Sequence, residues 1–159
     1  DLIDAPQGAL SQMLAVHEAS GGANVLGVET VAKEDTGAYG IVEVVAEGGY
    51  QRISSIVEKP HPDVAPSNLA VVGRYILTPR IFELLQNTPK GAGGEIQLTD
   101  AIAAMLAYEP VLAHAFDGVR YDCGSKLGYL EATVAYGLKH PEVGAQFAAI
   151  LAKHVPQSI

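Results

Sequence analysis

Leu69-Ala70-Val71-Val72-Gly73-Arg74-Tyr75-Ile76-Leu77-Thr78-Pro79-Arg80-Ile81-Phe82-Glu83-Leu84-Leu85 is the stretch on which the fold is decided. Up to Leu77 it is a nearly continuous apolar run, broken at Gly73-Arg74, as expected of a buried strand. Thr78-Pro79 then signals a helix, with a hydroxyl at the cap and a proline at the first helical position, where a missing N–H costs nothing. A buried strand running directly into a helix is the repeating unit of an α/β fold.

The same alternation extends outward from this stretch. Upstream, Leu10, Met13, Leu14 and His17 recur at helical spacing before the stop signal Gly21-Gly22, and Asn24 to Val31 follows as a β-branched strand. Ile41-Val42-Glu43-Val44-Val45 and Ile53-Ser54-Ser55-Ile56-Val57 flank Glu47-Gly48-Gly49 and predict a hairpin. Pro60, Pro62 and Pro66 make the next segment a loop. Downstream, Gly91-Ala92-Gly93-Gly94 reads as a flexible connection to a helix over Thr99–Tyr108, and Val111–Phe116 as a strand. Helices are expected over Gly124–Leu138 and Val143–Lys153, parted by His140-Pro141. No repeat or composition break marks a second domain, so residues 1–159 are expected to form one part of a domain.

The chain has 159 residues, 48% hydrophobic and 18% charged, which is enough apolar material for a core. Eighteen acidic against ten basic residues give a net charge of −8, which repels phosphate backbones and argues against a nucleic-acid partner. A small phosphorylated ligand is still allowed, because one or two placed cations suffice for it. The lone Cys123 permits no internal disulfide and suits a reducing compartment. No apolar run approaches the roughly 20 residues a membrane-spanning helix needs. A soluble, cytoplasmic protein is the expectation. The opening Asp1-Leu2-Ile3-Asp4, without an initiator methionine, reads as a cut edge.

Three places carry candidate chemistry. Glu58-Lys59-Pro60 stands where a strand gives way to the proline-rich loop, and α/β sheets bind ligands beyond their strand ends. A carboxylate suits sugar hydroxyls and an ammonium suits a phosphate; a solvated charge pair is the plainer alternative. Gly40, opening a strand after Tyr39, permits close backbone approach or serves simply as a turn glycine. Asp122, in Arg120-Tyr121-Asp122-Cys123-Gly124, is either a hard oxygen ligand for Mg²⁺ or the cap of the following helix. His17, His61, His114, His140 and His154 have no zinc-ligand spacing. The glycine-rich loop lacks the lysine and hydroxyl of a phosphate-binding P-loop.

Taken together the motifs carry a resemblance. Tyr39-Gly40-Ile41-Val42, Ile56-Val57-Glu58-Lys59-Pro60, Ala65-Pro66-Ser67-Asn68-Leu69-Ala70 and Val72-Gly73-Arg74-Tyr75-Ile76-Leu77 occur in that order. Gly93-Gly94-Glu95-Ile96-Gln97-Leu98-Thr99-Asp100-Ala101-Ile102 and Arg120-Tyr121-Asp122-Cys123-Gly124-Ser125-Lys126-Leu127-Gly128-Tyr129 follow. Each resembles a signature of bacterial UTP–glucose-1-phosphate uridylyltransferases, and the match covers nearly the whole chain. The resemblance implies a Rossmann-like nucleotidyltransferase fold with a mixed central sheet, here an incomplete portion ending in carboxy-terminal helices. It implies transfer of a uridylyl group from UTP to glucose 1-phosphate with Mg²⁺, giving UDP-glucose and pyrophosphate, in a homo-oligomer.

Residue by residue, the resemblance implies that Glu58 holds sugar hydroxyls, Lys59 the sugar phosphate, and Gly40 the glucose ring through its backbone. Gly73 would lie near the sugar, and Asp122 would be one of two metal carboxylates. The family's glycine-rich triphosphate loop and uracil-reading stretch have no counterpart here. Its other metal carboxylate belongs to a Leu-Ala-Asp-Asp-Leu segment; Asp1-Leu2 matches the second Asp, which puts that ligand just before the first residue. Ser125 stands where many relatives carry an acid. Two other readings remain at this stage. One is a thymidylyl- or adenylyltransferase for sugar phosphates. The other is a non-catalytic assembly module, using Ala132, Val134, Leu138, Phe147 and Leu151 as a contact surface or simply as core.

Overall fold

The computed structural model of the chain describes residues 1–91 and 94–154. In chain order its elements are β1 (Leu2–Asp4), α1 (Ala9–Ala19), β2 (Asn24–Thr30), a 3₁₀ helix (Lys33–Ala38), β3 (Gly40–Glu47) and β4 (Tyr50–Glu58). Then come β5 (Leu69–Ile76), α2 (Arg80–Asn87), α3 (Leu98–Met105), β6 (Val111–Ala115), β7 (Val119–Tyr121), α4 (Lys126–Lys139) and α5 (Gly144–His154). These elements form two compact units: Ala5–Gly118, and Asp1–Asp4 together with the segment from Val119 onward. Ala92 and Gly93 of the glycine-rich loop lie outside the described residues.

In the larger unit five strands form a mixed sheet in the order β2-β5-β3-β4-β6, closed on itself. β2 and β6 run parallel, and the other pairs are antiparallel. The predicted hairpin is present. Glu47 pairs with Tyr50 across Gly48 (φ +60°) and Gly49 (φ +86°). Two positive φ values at a two-residue loop match the right-handed twist of the strands, and glycine adopts them without a Cβ clash. Gly73 does not end β5. At φ +68° it forms a bulge, where the register with β2 slips from Leu26↔Tyr75 to Val28↔Val71.

Ile81 of α2 and Ala101, Ile102 and Met105 of α3 bury against Leu26, Val42, Ile53 and Ile56 of the sheet. Each fully buried large aliphatic side chain contributes about 1.5–3 kcal/mol, so this layer seats the first turn of α3 firmly.

α2 starts differently from the expectation. The Thr78 hydroxyl does not cap the helix; it donates to Glu109 Oε2 at 2.6 Å. Glu109 also accepts from Arg80 Nε (2.8 Å) and Asn24 Nδ2 (3.1 Å), while the buried Asn24 accepts from the Thr78 N–H at 2.8 Å. The charged carboxylate is a strong acceptor, and the Thr78 hydroxyl turns toward it rather than over the helix end. Thr78 foremost, then Arg80 and Asn24, hold the Glu109 carboxyl below its ordinary range.

In the smaller unit β1 and β7 pair antiparallel, Leu2↔Tyr121 to Asp4↔Val119, and α4 and α5 complete it. Tyr121 meets Tyr136 edge to face at 6.1 Å. The Phe147 ring of α5 lies on Gly137 of α4, where a Cβ would come within 2.7 Å of it. Of the five residues weighed as an assembly surface, Ala132 is core, Val134, Phe147 and Leu151 are half-buried, and Leu138 is exposed. Among the described residues no helix is long and apolar enough to cross a membrane.

Candidate active site

β4 carries Glu58 to its end, and the next residue turns sharply. Lys59 has φ +45°, the one non-glycine residue with positive φ among the described residues. Its N–H donates to the Tyr39 carbonyl at 2.9 Å, which locks the turn. Such a conformation costs about 1–3 kcal/mol and persists only where the surroundings enforce it. Its effect is to bring two successive side chains, which a strand would send to opposite faces, to one place. Lys59 Nζ lies 3.9 Å from Glu58 Oε1. The Lys59 side chain is 62% exposed, so as an ion pair this adds little stability.

Glu58 is held from its other side. Oε2 accepts a hydrogen bond from Thr99 Oγ1 of α3 at 2.6 Å. Gly40 pairs directly with Glu58 across the hairpin. A Cβ on Gly40 would come to 3.3 Å from Glu58 Oε2 and 3.5 Å from Thr99 Oγ1. The missing side chain therefore leaves room for the carboxylate and its partner. Gly40, Glu58 and Thr99 line a polar cleft of about 270 Å³ with Tyr39, Tyr75 and Gln97, floored by Ile56, Val71 and Ile102. Burial, reinforced by the Glu58 charge, pushes the Tyr75 phenol up, so it enters the cleft as a hydroxyl.

Larger grooves, about 730, 410 and 400 Å³, run beside α4 in the smaller unit and are walled chiefly by apolar residues such as Tyr121, Leu127, Leu130 and Leu138. Sugar hydroxyls and phosphate need convergent polar partners, so the smaller polar cleft is the better candidate.

The structure thus brings Gly40, Glu58 and Lys59 together. Gly73 does not line this cleft; it supplies the bulge in β5 between Val71 and Tyr75, which do. Asp122 belongs to the smaller unit, in the turn after β7. It is not the cap of α4. Ser125 is, with its Oγ accepting from the Gly128 N–H at 2.9 Å and donating to the Asp122 carbonyl at 3.2 Å. Serine is among the residues best suited to a helix cap. The Asp122 carboxylate accepts from the Gly124 N–H at 3.0 Å and lies 3.7 Å from Arg120 Nη2, while Arg120 Nε lies 3.2 Å from Asp1 Oδ2.

Among the described residues no three His, Cys, Asp or Glu side chains converge on a metal position. A Mg²⁺ ion that keeps waters and substrate phosphates needs only one or two protein carboxylates. Asp122, 40% exposed, can keep its present partners and still serve as one.

Thr99 and Tyr75 were not singled out by sequence. Thr99 sits inside Gln97-Leu98-Thr99-Asp100, where a hydroxyl at a helix start reads as a local cap, and its bond to Glu58 spans 41 positions. Tyr75 reads as one apolar residue of a strand, and only the bulge at Gly73 sets its direction.

The chain is similar to proteins of known kind in both sequence and fold. A UTP–glucose-1-phosphate uridylyltransferase of Staphylococcus epidermidis is 43% identical over 152 residues, 95% of this chain and 52% of that protein. The structure of a UDP-glucose pyrophosphorylase complexed with UDP-glucose matches with a TM-score of 0.80 at 42% identity, over 87% of this chain and 53% of the other. A UTP-bound enzyme of the same kind from Acinetobacter baumannii matches with a TM-score of 0.82 at 42% identity, over 95% of this chain and 53% of the other. The chain spans about half the length of these relatives. Residues 2–138 match the model of the nucleotidyl transferase family; the chain belongs to that family and has its α/β fold with a central sheet of mixed strand orientation.

Proposed function

We propose that the whole protein transfers a uridylyl group from UTP to glucose 1-phosphate, and that this chain supplies the sugar-phosphate site. The observation that carries the reading is the Lys59 turn, which sets an ammonium and a carboxylate side by side beyond a strand end, opposite Gly40. In the reaction an oxygen of the glucose 1-phosphate attacks the α-phosphorus of UTP. One P–O bond forms, the bond to the bridging oxygen breaks, and pyrophosphate leaves with the electron pair. Lys59 neutralises and orients the attacking phosphate. Glu58 accepts from sugar hydroxyls and Gly40 admits the ring to the backbone, while Gly73 shapes the sugar side only through the bulge between Val71 and Tyr75. Asp122 would be one ligand of Mg²⁺, which when bound supplies positive charge to the reacting phosphates.

Relatives 42–43% identical over most of this chain are named for UTP and UDP-glucose, which supports uridylyl over thymidylyl or adenylyl transfer. The lone Cys123 supports a reducing cytoplasm, and the exposed Leu127, Leu130 and Leu138 of α4 support a homo-oligomer.

The test has two arms. Given UTP and glucose 1-phosphate with Mg²⁺, the 159-residue chain alone forms no UDP-glucose, because orienting and neutralising both reactants is most of such catalysis. The whole protein forms it, and prefers UTP among the four nucleoside triphosphates. Turnover that co-purifies with the 159-residue chain, or a preference for another nucleotide, contradicts the reading.

A further inference from the structure

We infer that Thr99 is a positioning residue for Glu58. Its hydroxyl occupies Oε2 and so leaves Oε1, on the Lys59 side, as the carboxylate oxygen aimed at the sugar. The inference deepens the sugar-phosphate reading and rests on it.

The geometry points this way on three counts. A threonine hydroxyl has one proton, and at 2.6 Å from Oε2 that proton is committed to the carboxylate. Thr99 is itself well anchored. It lies in the first turn of α3, two residues from Ala101 and three from Ile102, both buried in the core, and its branched side chain is stiff at χ1. Gly40 fits beneath the pair: a Cβ there would press on Glu58 Oε2, Thr99 Oγ1 and Thr99 Cγ2 at 3.3, 3.5 and 3.6 Å. Two residues from two other elements, Thr99 of α3 and Gly40 of β3, therefore confine one carboxylate.

The consequence is selectivity. Epimeric sugars differ in the direction of one hydroxyl, and an acceptor reads that direction only when it is held still. A carboxylate free to turn about its side-chain bonds would accept from either epimer. With both partners in place, Oε1 lies toward the phosphate-binding ammonium, 3.9 Å from Lys59 Nζ. Distance from the phosphate and hydroxyl direction are then read together. Thr99 would keep its oxygen lone pairs to accept from a ring hydroxyl in turn.

The test compares the unaltered chain with Thr99→Val and Thr99→Ser. Valine keeps the shape and removes the hydrogen bond; serine keeps the bond and drops a methyl. Binding of glucose 1-phosphate and galactose 1-phosphate is followed by chemical-shift titration, which reaches millimolar affinities. Thr99→Val is expected to weaken glucose 1-phosphate about ten-fold and to narrow the ratio between the two sugars, as loss of a charge-assisted bond implies. Thr99→Ser should stay near the unaltered chain. Unchanged binding in Thr99→Val overturns the inference. So does an equal loss for both sugars that serine does not rescue, since that marks general disturbance of α3. A double-mutant cycle with Glu58→Gln in urea, without ligand, must also show coupling between the two side chains, and none would overturn it. If the unaltered chain binds neither sugar phosphate while the cycle shows coupling, the sugar-phosphate reading fails, and Thr99 orders Glu58 for structure alone.

Discussion

The two carboxylates singled out by sequence stand in contrasting surroundings. Glu58 ends a long strand of a closed five-stranded sheet, faces a glycine, and has one oxygen fixed by a side chain from a helix anchored in the core. Asp122 follows a three-residue strand, is 40% exposed, and is steadied by neighbours in its own stretch of chain, the N–H of Gly124 and the guanidinium of Arg120. The contrast teaches what each can recognise. An oriented, half-buried acceptor can tell one hydroxyl from another. An exposed carboxylate on a short turn can close around a cation whose other ligands come from elsewhere.

The largest effect that sharpens this contrast is expected at Glu58 and Lys59. In the whole protein Glu58→Gln should lower the specificity constant for glucose 1-phosphate by roughly ten- to hundred-fold, because bonds to a charged acceptor are worth about 1.5–3 kcal/mol. It should also reduce discrimination against galactose 1-phosphate. Lys59→Met should weaken both sugar phosphates alike, since the lost ammonium meets only phosphate. Parallel losses with Glu58→Gln, or a sugar-selective loss with Lys59→Met, would reverse the two roles.

Next comes the frame around Asp122. Gly128 is buried in the first turn of α4, and a Cβ there would overlap the Asp122 carbonyl. Backbone has nowhere to yield cheaply, so Gly128→Ala should cost about 1–3 kcal/mol in urea denaturation. An unchanged midpoint would mean that the turn holding Asp122 is loose.

A smaller effect separates strain from stability at the other carboxylate. Lys59→Gly relieves a left-handed conformation worth about 1–2 kcal/mol but gives back part of that in unfolded-state freedom. The chain should melt at the same temperature or slightly higher while losing affinity for sugar phosphate. A clear drop in melting temperature would show that the Lys59 side chain stabilises the fold.

The smallest pair of effects decides what Asp122 is for. Ser125→Ala removes the cap of α4 and should cost about 1 kcal/mol. Asp122→Asn keeps an oxygen to accept from Gly124 and should move stability by only a few tenths of a kcal/mol. Loss of Mg²⁺-dependent turnover in Asp122→Asn of the whole protein would then reflect lost charge, not lost structure. Unchanged activity across a Mg²⁺ titration would remove Asp122 from the metal site.

What the sequence disclosed follows the range of the interactions. The hairpin at Gly48-Gly49, the strand–helix step around Thr78-Pro79 and the place of Glu58 at a strand end are local patterns, and they were readable. Interactions between distant positions were not. The three-residue β1 is too short for periodicity, and its partner β7 begins only at Val119. Thr78 looks like a cap until Glu109, 31 positions on, takes its hydroxyl. Asp122 reads as a cap of α4, and only the hydrogen bond from the Gly128 N–H gives that role to Ser125 instead. Lys59 gives no sign of its positive φ, because the residues that normally announce that conformation are glycine and asparagine.

The central claim is that residues 5–118 contain a sugar-phosphate cleft at the end of β4. A glucose 1-phosphate titration of the isotopically labelled chain, read amide by amide, tests it most directly. The account predicts that the largest shifts fall at Tyr39, Gly40, Glu58, Lys59 and Thr99, and that they disappear in Lys59→Met. Saturable binding with its shifts centred on α4 and the apolar grooves beside it, leaving Gly40 and Lys59 unmoved, would contradict it.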